Sequence, residues 1–381
     1  MIQLILVFAA ILIIGIFFAI FRISTLASAV MKKPGAEKDS QVSSGNSLHG
    51  ALFIILPLIG FGAAGWYGYK YFGIYTQPHA SEAASQTEPL FWIATAIIIA
   101  MFVITNVALF YFAYKYRYRQ NGKAHFYPDN TKLEIVWTIV PAIILTTLIF
   151  TGWKAWRNIM YEANAPKNAQ VIEIMGYQFA WMVRYAGEDN KIGRSDFRYV
   201  DASNAMGLDF TDPRTNDDIQ LGQAEIHVVK GKPIELKIRA RDVLHSVSIP
   251  HFRQKMDAVP GMPTRMTFVP TMTTAEMRQE LSTRPEWQVI DETTGKARFQ
   301  NFNYEIACQE VCGRGHFSMR AVIIVETQEE YDKWLAEQQP YVEKNKDYVV
   351  KAIEKQKRIK KEGLTTMRES ANKGVRQTAS F

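Results

Sequence analysis

At 381 residues the chain is too long for one small domain, so a membrane part and at least one folded extramembrane part are expected. Two cysteines exclude a disulfide framework and favour a shared metal or redox role. A formal charge of +7 would mark a nucleic-acid or membrane-surface binder if it were spread evenly. Residues 343–376, however, hold eleven basic side chains against five acidic ones, and the remainder is nearly neutral.

Four stretches, 2–21, 51–69, 91–112 and 135–153, are apolar enough for spans of about 20 residues. The first lacks the basic opening of a signal peptide and is followed by basic residues, so it reads as a retained helix, although LASA at 26–29 resembles a cleavage site. The linker 22–47 carries Arg22, Lys32, Lys33 and Lys38, and 113–132 carries Lys115, Arg117, Arg119, Lys123 and Lys132. The linker 76–89 has neither Lys nor Arg but contains Glu82 and Glu88. That asymmetry places the basic linkers in the cytoplasm and both termini outside. Lys70, Lys154 and Arg157 fall on the other side, where long stems can snorkel.

After Pro166 the pattern changes to short alternating runs at 170–176, 178–185, 224–230, 234–240, 265–270, 304–307 and 320–326. With turn signals between them they predict strands. Short strands without intervening helices predict an antiparallel sandwich or barrel. Residues 187–222 form a polar insertion with eight acids. From about Glu329 the period and the Lys/Glu content predict helices, with the last dozen residues disordered. The expected division is 1–47, an extra helix and basic linker; 48–160, three transmembrane helices; 161–328, the sandwich; and 329–381, a charged helical tail.

The chemistry concentrates in CQEVCGRGHFSM, where Cys308, Cys312, His316 and Met319 fall within twelve residues. Thiolate with thioether selects a soft metal, copper above all. Zinc is the first competitor, but its sites rarely use Met and more often space their cysteines as C-x2-C. Two thiolates on one loop can bridge two metals, each then needing an imidazole and a weak axial ligand. His316 supplies one imidazole, and His245 in DVLHSVSIP is the candidate for the other.

CQEVCGRGHFSM resembles the C-x-E-x-C-G-x-x-H-x-x-M signature of cytochrome c oxidase subunit II. DVLHSVSIP followed by KMDAVPG is similar to the same family's first-ligand strand and turn, LEIVWTIVPAIIL (133–145) to its last transmembrane helix, and GYQFAWMVRY (176–185) to its aromatic strand. The resemblance covers about residue 90 to 326. It implies a cupredoxin-like antiparallel β-sandwich behind an N-terminal membrane anchor. It also implies a binuclear copper (CuA) centre bridged by Cys308 and Cys312, with His245 and Met319 on one copper. The other copper takes His316 and the Glu310 backbone carbonyl. The Glu310 side chain is implied to reach a magnesium shared with subunit I.

Glu134 matches a residue at the mouth of a proton-uptake path in that family. The blander reading is an acid favoured by the helix macrodipole. Where the family places the Trp that receives the electron, this chain has Phe179, which leaves Trp181 and Tyr177, each also readable as a core aromatic, with Trp181 the preferred entry residue.

The implied function is electron entry from cytochrome c, or from a dedicated haem c donor, and delivery to a haem of subunit I. Oxygen reduction coupled to proton pumping follows in that partner. Other oxidase subunits and a larger respiratory assembly complete the expected partners, in a bacterial inner membrane with the copper domain on the outer side. A quinol oxidase subunit would lack the ligands. A copper-storage or delivery protein would not need the helices or Glu134, and a nitrous oxide reductase would need a second large domain. The insertion 187–222 and the tail 343–376 have opposite charge; one reading folds the tail back onto the insertion, and the preferred one gives the two different partners. The insertion would face a basic cytochrome c, and the tail would clamp a neighbouring subunit or the membrane surface.

Overall fold

The computed structural model describes residues 2–30, 45–119, 122–123, 125–160, 166–222 and 224–378. Most of the first basic linker and three positions of the second, 120, 121 and 124, lie outside the described residues. By contact the chain divides into two compact units, Met1–Lys70 with Ala96–Trp137, and Tyr71–Thr95 with Thr138–Phe381.

Four helices come first: α1 (Ile2–Val30), α2 (Gly45–Tyr75), α3 (Glu82–Lys115) and α4 (Thr131–Met160). The last three are long and apolar enough to cross a membrane. Their large apolar side chains point outward, which suits helices solvated by lipid. In α1 the apolar part with described side chains, Ile11–Ala27, is shorter. The side-chain oxygen of Asn130 accepts from the Leu133 N–H at 3.1 Å, capping α4 and placing Glu134 in its first turn. Within the second unit, the start of α3 is fastened to the sandwich. Ser81 Oγ donates to the Phe252 carbonyl at 2.8 Å, and Arg253 Nε donates to Glu88 at 2.7 Å.

The sandwich is built from β1 (Gln170–Tyr177), β2 (Ala180–Tyr185), β3 (Ile219–Leu221), β4 (Glu225–Val229), β5 (Ile234–Ala240), β6 (His245–Ile249), β7 (Gln254–Ala258), β8 (Thr264–Phe268), β9 (Tyr304–Cys308) and β10 (Arg320–Glu326). One sheet has the order β3-β2-β1-β5-β8 and the other β4-β10-β9-β6-β7. Alternation sets the faces: Ile234, Leu236 and Ile238 of β5 and Ala321, Ile323 and Val325 of β10 meet in the shared core.

The expected sandwich forms, with one departure from a purely antiparallel pattern. β1 pairs parallel with β5, and β4 with β10. In each case the chain leaves the sheet and crosses the sandwich before returning, as a parallel pair requires. All seven marked strands form, while β3, β6 and β7 lie in stretches the alternation did not mark, β6 being indicated by the family resemblance alone. A helix, α5 (Thr274–Ser282), also intervenes where none was expected. Its signal is the Thr273/Glu276 capping box, whose two reciprocal bonds satisfy orphan N–H groups of the first turn.

β1 is buried along nearly its whole length because its outer face is covered as well. α6 (Gln328–Ala336), α7 (Tyr341–Lys344) and α8 (Lys346–Thr378) follow β10. Tyr341, Val349 and Ala352 close over Met206, Leu208 and Phe210 of the insertion and over Met175 of β1, forming a second core. Gln356 accepts from the Phe210 N–H at 2.9 Å and donates to the Leu208 carbonyl at 2.8 Å. Lys360 pairs with Asp209 at 2.8 Å, and Lys355 with Asp201 at 3.6 Å.

This overturns the expectation that insertion and tail serve separate partners: the tail folds back onto the insertion. Most of the insertion's acids are also spent inside the chain, so they form no open acidic face. Asp196 pairs with Arg198, Asp212 with Arg214, and Asp218 with the fully buried Arg184. Arg184 and Arg239 both bind Glu173 of β1, so the seam between insertion and sheet is a buried ionic network. The helix α8 runs through Thr378, against the disorder expected for the last dozen residues; 379–381 lie outside the described residues.

Candidate metal centre

His245 opens β6, and Cys308 closes the neighbouring strand β9, with Val247 paired opposite Cys308. Residues 309–319 then loop back to β10. The loop is drawn closed by the Cys308 N–H donating to the Met319 carbonyl at 3.1 Å and by Gln309 N–H donating to the Ser246 carbonyl at 3.2 Å. Gly313 has φ +130°, a conformation that L side chains rarely adopt, and this turns the chain between Cys312 and His316.

The closure brings the predicted donors together. Cys308 Sγ lies 3.9 Å from Cys312 Sγ, far beyond a disulfide bond, so both thiols are free. His245 Nδ1 is 3.9 Å from Cys308 Sγ, and His316 Nδ1 is 3.6 Å from Cys312 Sγ. Met319 Sδ is 3.8 Å from Cys312 Sγ, and the Glu310 carbonyl oxygen is 3.3 Å from Cys308 Sγ. Both cysteines, His245 and Met319 are buried, and His316 is partly open. Burial, then the neighbouring Cys308, push the Cys312 thiol up to about 11. At neutral pH a thiolate here therefore needs a bound cation to stabilise it.

Sequence reasoning missed the residues behind these donors. Asp242 Oδ1 lies 2.9 Å from His245 Nε2, leaving Nδ1 to face the sulfurs, the usual arrangement behind a metal-binding imidazole. Burial opposes ionisation of Asp242, but the Gln178 N–H and the His245 ring together hold its carboxyl below the ordinary range. Gln178 Nε2 donates to the Cys312 carbonyl at 2.6 Å, so one chain of bonds links His245, Asp242, Gln178 and Cys312. A Cβ on Gly176 would sit 2.9 Å from both the His245 and Trp181 rings, which explains the glycine. An acid three places before the histidine was the available signal for Asp242.

Trp181 is only 3% exposed and stands edge-on to His245 with ring centroids 6.0 Å apart. Phe179, at 38%, is the exposed ring, lying on the backbone of Gly313 and Gly315. Glu134 belongs to the other compact unit and is exposed in the first turn of α4.

A β-sandwich carrying a His, Cys, Cys cluster beside a thioether, preceded by helices long and apolar enough to cross a membrane, defines a membrane-anchored protein with a candidate soft-metal site. Residues 70–154 match the transmembrane domain of cytochrome c oxidase subunit II, and residues 170–277 match its periplasmic domain. The alternative cytochrome c oxidase subunit 2 of Bradyrhizobium diazoefficiens is 31% identical over 245 residues, 64% of this chain and 77% of that protein. Cytochrome c oxidase subunit 2 of Thermostichus vulcanus is 27% identical over 307 residues, 75% of this chain and 83% of that protein. The crystal structure of the periplasmic domain of subunit II from Bradyrhizobium japonicum has 18% identity and a TM-score of 0.28, covering 45% of this chain and 94% of that one. The chain belongs to the cytochrome c oxidase subunit II family, whose members are subunits of a haem–copper oxidoreductase complex.

Proposed function

We propose that this chain is the electron-entry subunit of its oxidase, holding a binuclear copper centre that takes electrons from a haem c protein. The observation that carries this is two unlinked sulfurs 3.9 Å apart, each beside its own imidazole, with a thioether and a carbonyl completing the set. Six donors are more than one tetrahedral ion uses, which favours two metals over a single zinc. Cys308 and Cys312 would bridge, His245 with Met319 would serve one copper, and His316 with the Glu310 carbonyl the other. The bridged pair supplies one-electron exchange with the charge shared over two metals.

The rest of the work belongs to the chain. Asp242 orients His245, the Gln178 bond fixes the Cys312 segment, and the surrounding core excludes water from the sulfurs. Phe179 offers the exposed ring to a donor, with Trp181 buried behind it against His245. The Glu310 carboxylate is a suitable hard ligand for a magnesium shared with subunit I. We place the basic linkers in the cytoplasm, with residues 48–160 as the multi-pass anchor and the sandwich of 161–328 on the outer side of a bacterial inner membrane. From there electrons would pass to haem in subunit I, where oxygen is reduced and protons are pumped.

Copper-loaded full-length chain is expected to hold two coppers with a mixed-valence spectrum; a single zinc or copper per chain would refute the reading. Met319→Leu should keep both metals but move the midpoint potential, because axial ligands tune while thiolates hold. An unchanged potential would remove Met319 from the ligand set.

Glu134→Gln should slow turnover of the assembled oxidase while leaving the copper spectrum as it was. Asn130 already caps α4, so this carboxylate is free for proton entry. Normal turnover with slightly lowered thermal stability would instead make Glu134 a macrodipole acid.

A further inference from the structure

The metal end of the sandwich is bounded by three loops that bond to one another. The Gln178 N–H of the β1–β2 turn donates to Asp242 of the β5–β6 loop, and its side chain donates to Cys312 of the ligand loop. The β7–β8 turn adjoins them through the bridge between Ala240 and Pro260. On these segments six apolar side chains stand in solvent: Phe179 at 38%, Val243 at 36%, Leu244 at 47% and Met262 at 57%, with Val311 and Phe317 of the ligand loop more exposed still.

Two arginines and two acids border this patch, and among the described residues no ion pair joins them. Arg241 is exposed, its guanidinium 4.7 Å from the Tyr177 ring centroid. Arg314 is exposed between the two glycines under Phe179. Asp242 is committed to the N–H groups of Gln178 and Val243 and to His245, and Glu310 is half-buried in the ligand loop. Five acids of the insertion are paired with basic groups of the same chain. Of the rest, Glu188 and Asp217 line a cavity at Gln170, where β1 begins, and β1 runs eight residues, about 26 Å, from there to the metal end.

We propose that this face docks a haem c protein whose haem edge is bordered by apolar and acidic side chains rather than lysines. The proposal rests on the electron-entry reading and names its partner. Contact between apolar surfaces brings a haem edge close to the ligand loop, and the two arginines steer an acidic rim while repelling a lysine ring. The exchange moves one electron from the ferrous haem, which becomes ferric, to the site, and no bond forms or breaks.

The test uses the copper-loaded full-length chain in uncharged detergent, titrated with a lysine-rich and an acidic cytochrome c at low and high salt. The acidic probe should bind more tightly and weaken as salt rises; the lysine-rich probe should bind poorly and not weaken. Exchanging both arginines, Arg241→Glu with Arg314→Glu, should reverse that order. Leu244→Ser with Met262→Ser should weaken the acidic probe by roughly tenfold or more without altering its salt dependence. A copper-loaded chain that prefers the lysine-rich probe at low salt, or whose apolar variants bind unchanged, overturns the docking proposal alone. Loss of the two-copper spectrum in the unaltered chain overturns the electron-entry reading, and the docking proposal with it.

Discussion

Cys308→Ser and Cys312→Ser are each expected to abolish the two-copper spectrum and the oxidase activity while the chain still inserts and folds. Serine is nearly isosteric and both positions are small, so the cavity cost is slight compared with the loss of a bridge. Each sulfur stands between donors of both halves of the site: Cys308 faces His245 and the Glu310 carbonyl, Cys312 faces His316 and Met319. A hydroxyl is a hard, poorly ionising substitute for a thiolate, and soft-ligand selection for copper fails with it. Metal content, the optical spectrum and a folding assay on one sample separate loss of ligand from loss of fold. Two coppers per chain in either variant would remove that cysteine from the bridge.

Deleting residues 341–381 should loosen the insertion 187–222 on the sandwich. Tyr341, Val349 and Ala352 would no longer cover Met175, Leu208 and Phe210, and each large apolar side chain uncovered costs about 1.5–3 kcal/mol. Asp209 would be left buried without Lys360, and the Phe210 N–H and Leu208 carbonyl would lose Gln356. An orphaned buried group adds its own desolvation cost. The expected readout is faster hydrogen exchange and protease cleavage within 187–222, with the copper spectrum retained. Equal protection in the truncated and complete chains would show that the tail is not what holds the insertion.

Much of the candidate site was legible because Cys308, Cys312, His316 and Met319 lie within twelve residues and share one chemical preference. His245 was harder: its place depends on β6 lying beside β9, a pairing across some sixty residues. Of the supporting residues, Asp242 offered only its place three before His245, and Gln178 offered nothing, since an amide in a loop is commonplace until a backbone puts it against a ligand. The seven marked strands followed from alternation, but β3 is three residues long and too short to show any. The tail was misjudged for a physical reason. Its net charge is conspicuous in the sequence, whereas Val349, Ala352 and Gln356, which form the buried stripe, are inconspicuous among the lysines. Their spacing of three and four residues marks one helical face, but nothing local says that Leu208 and Phe210 wait beneath it.

The fold-back also sets an order of assembly. The second core joins Phe210 to Gln356, and Gln356 is made 146 residues after Phe210. Synthesis proceeds at about 5–20 residues per second, so the insertion stands uncovered for several seconds to tens of seconds while the rest is made. All the candidate metal donors, from His245 to Met319, emerge before that cover does. The candidate ligand end can therefore close while the insertion is still uncovered. A released chain truncated after Glu326 is expected to keep the candidate ligand end but to be cleaved readily within 187–222.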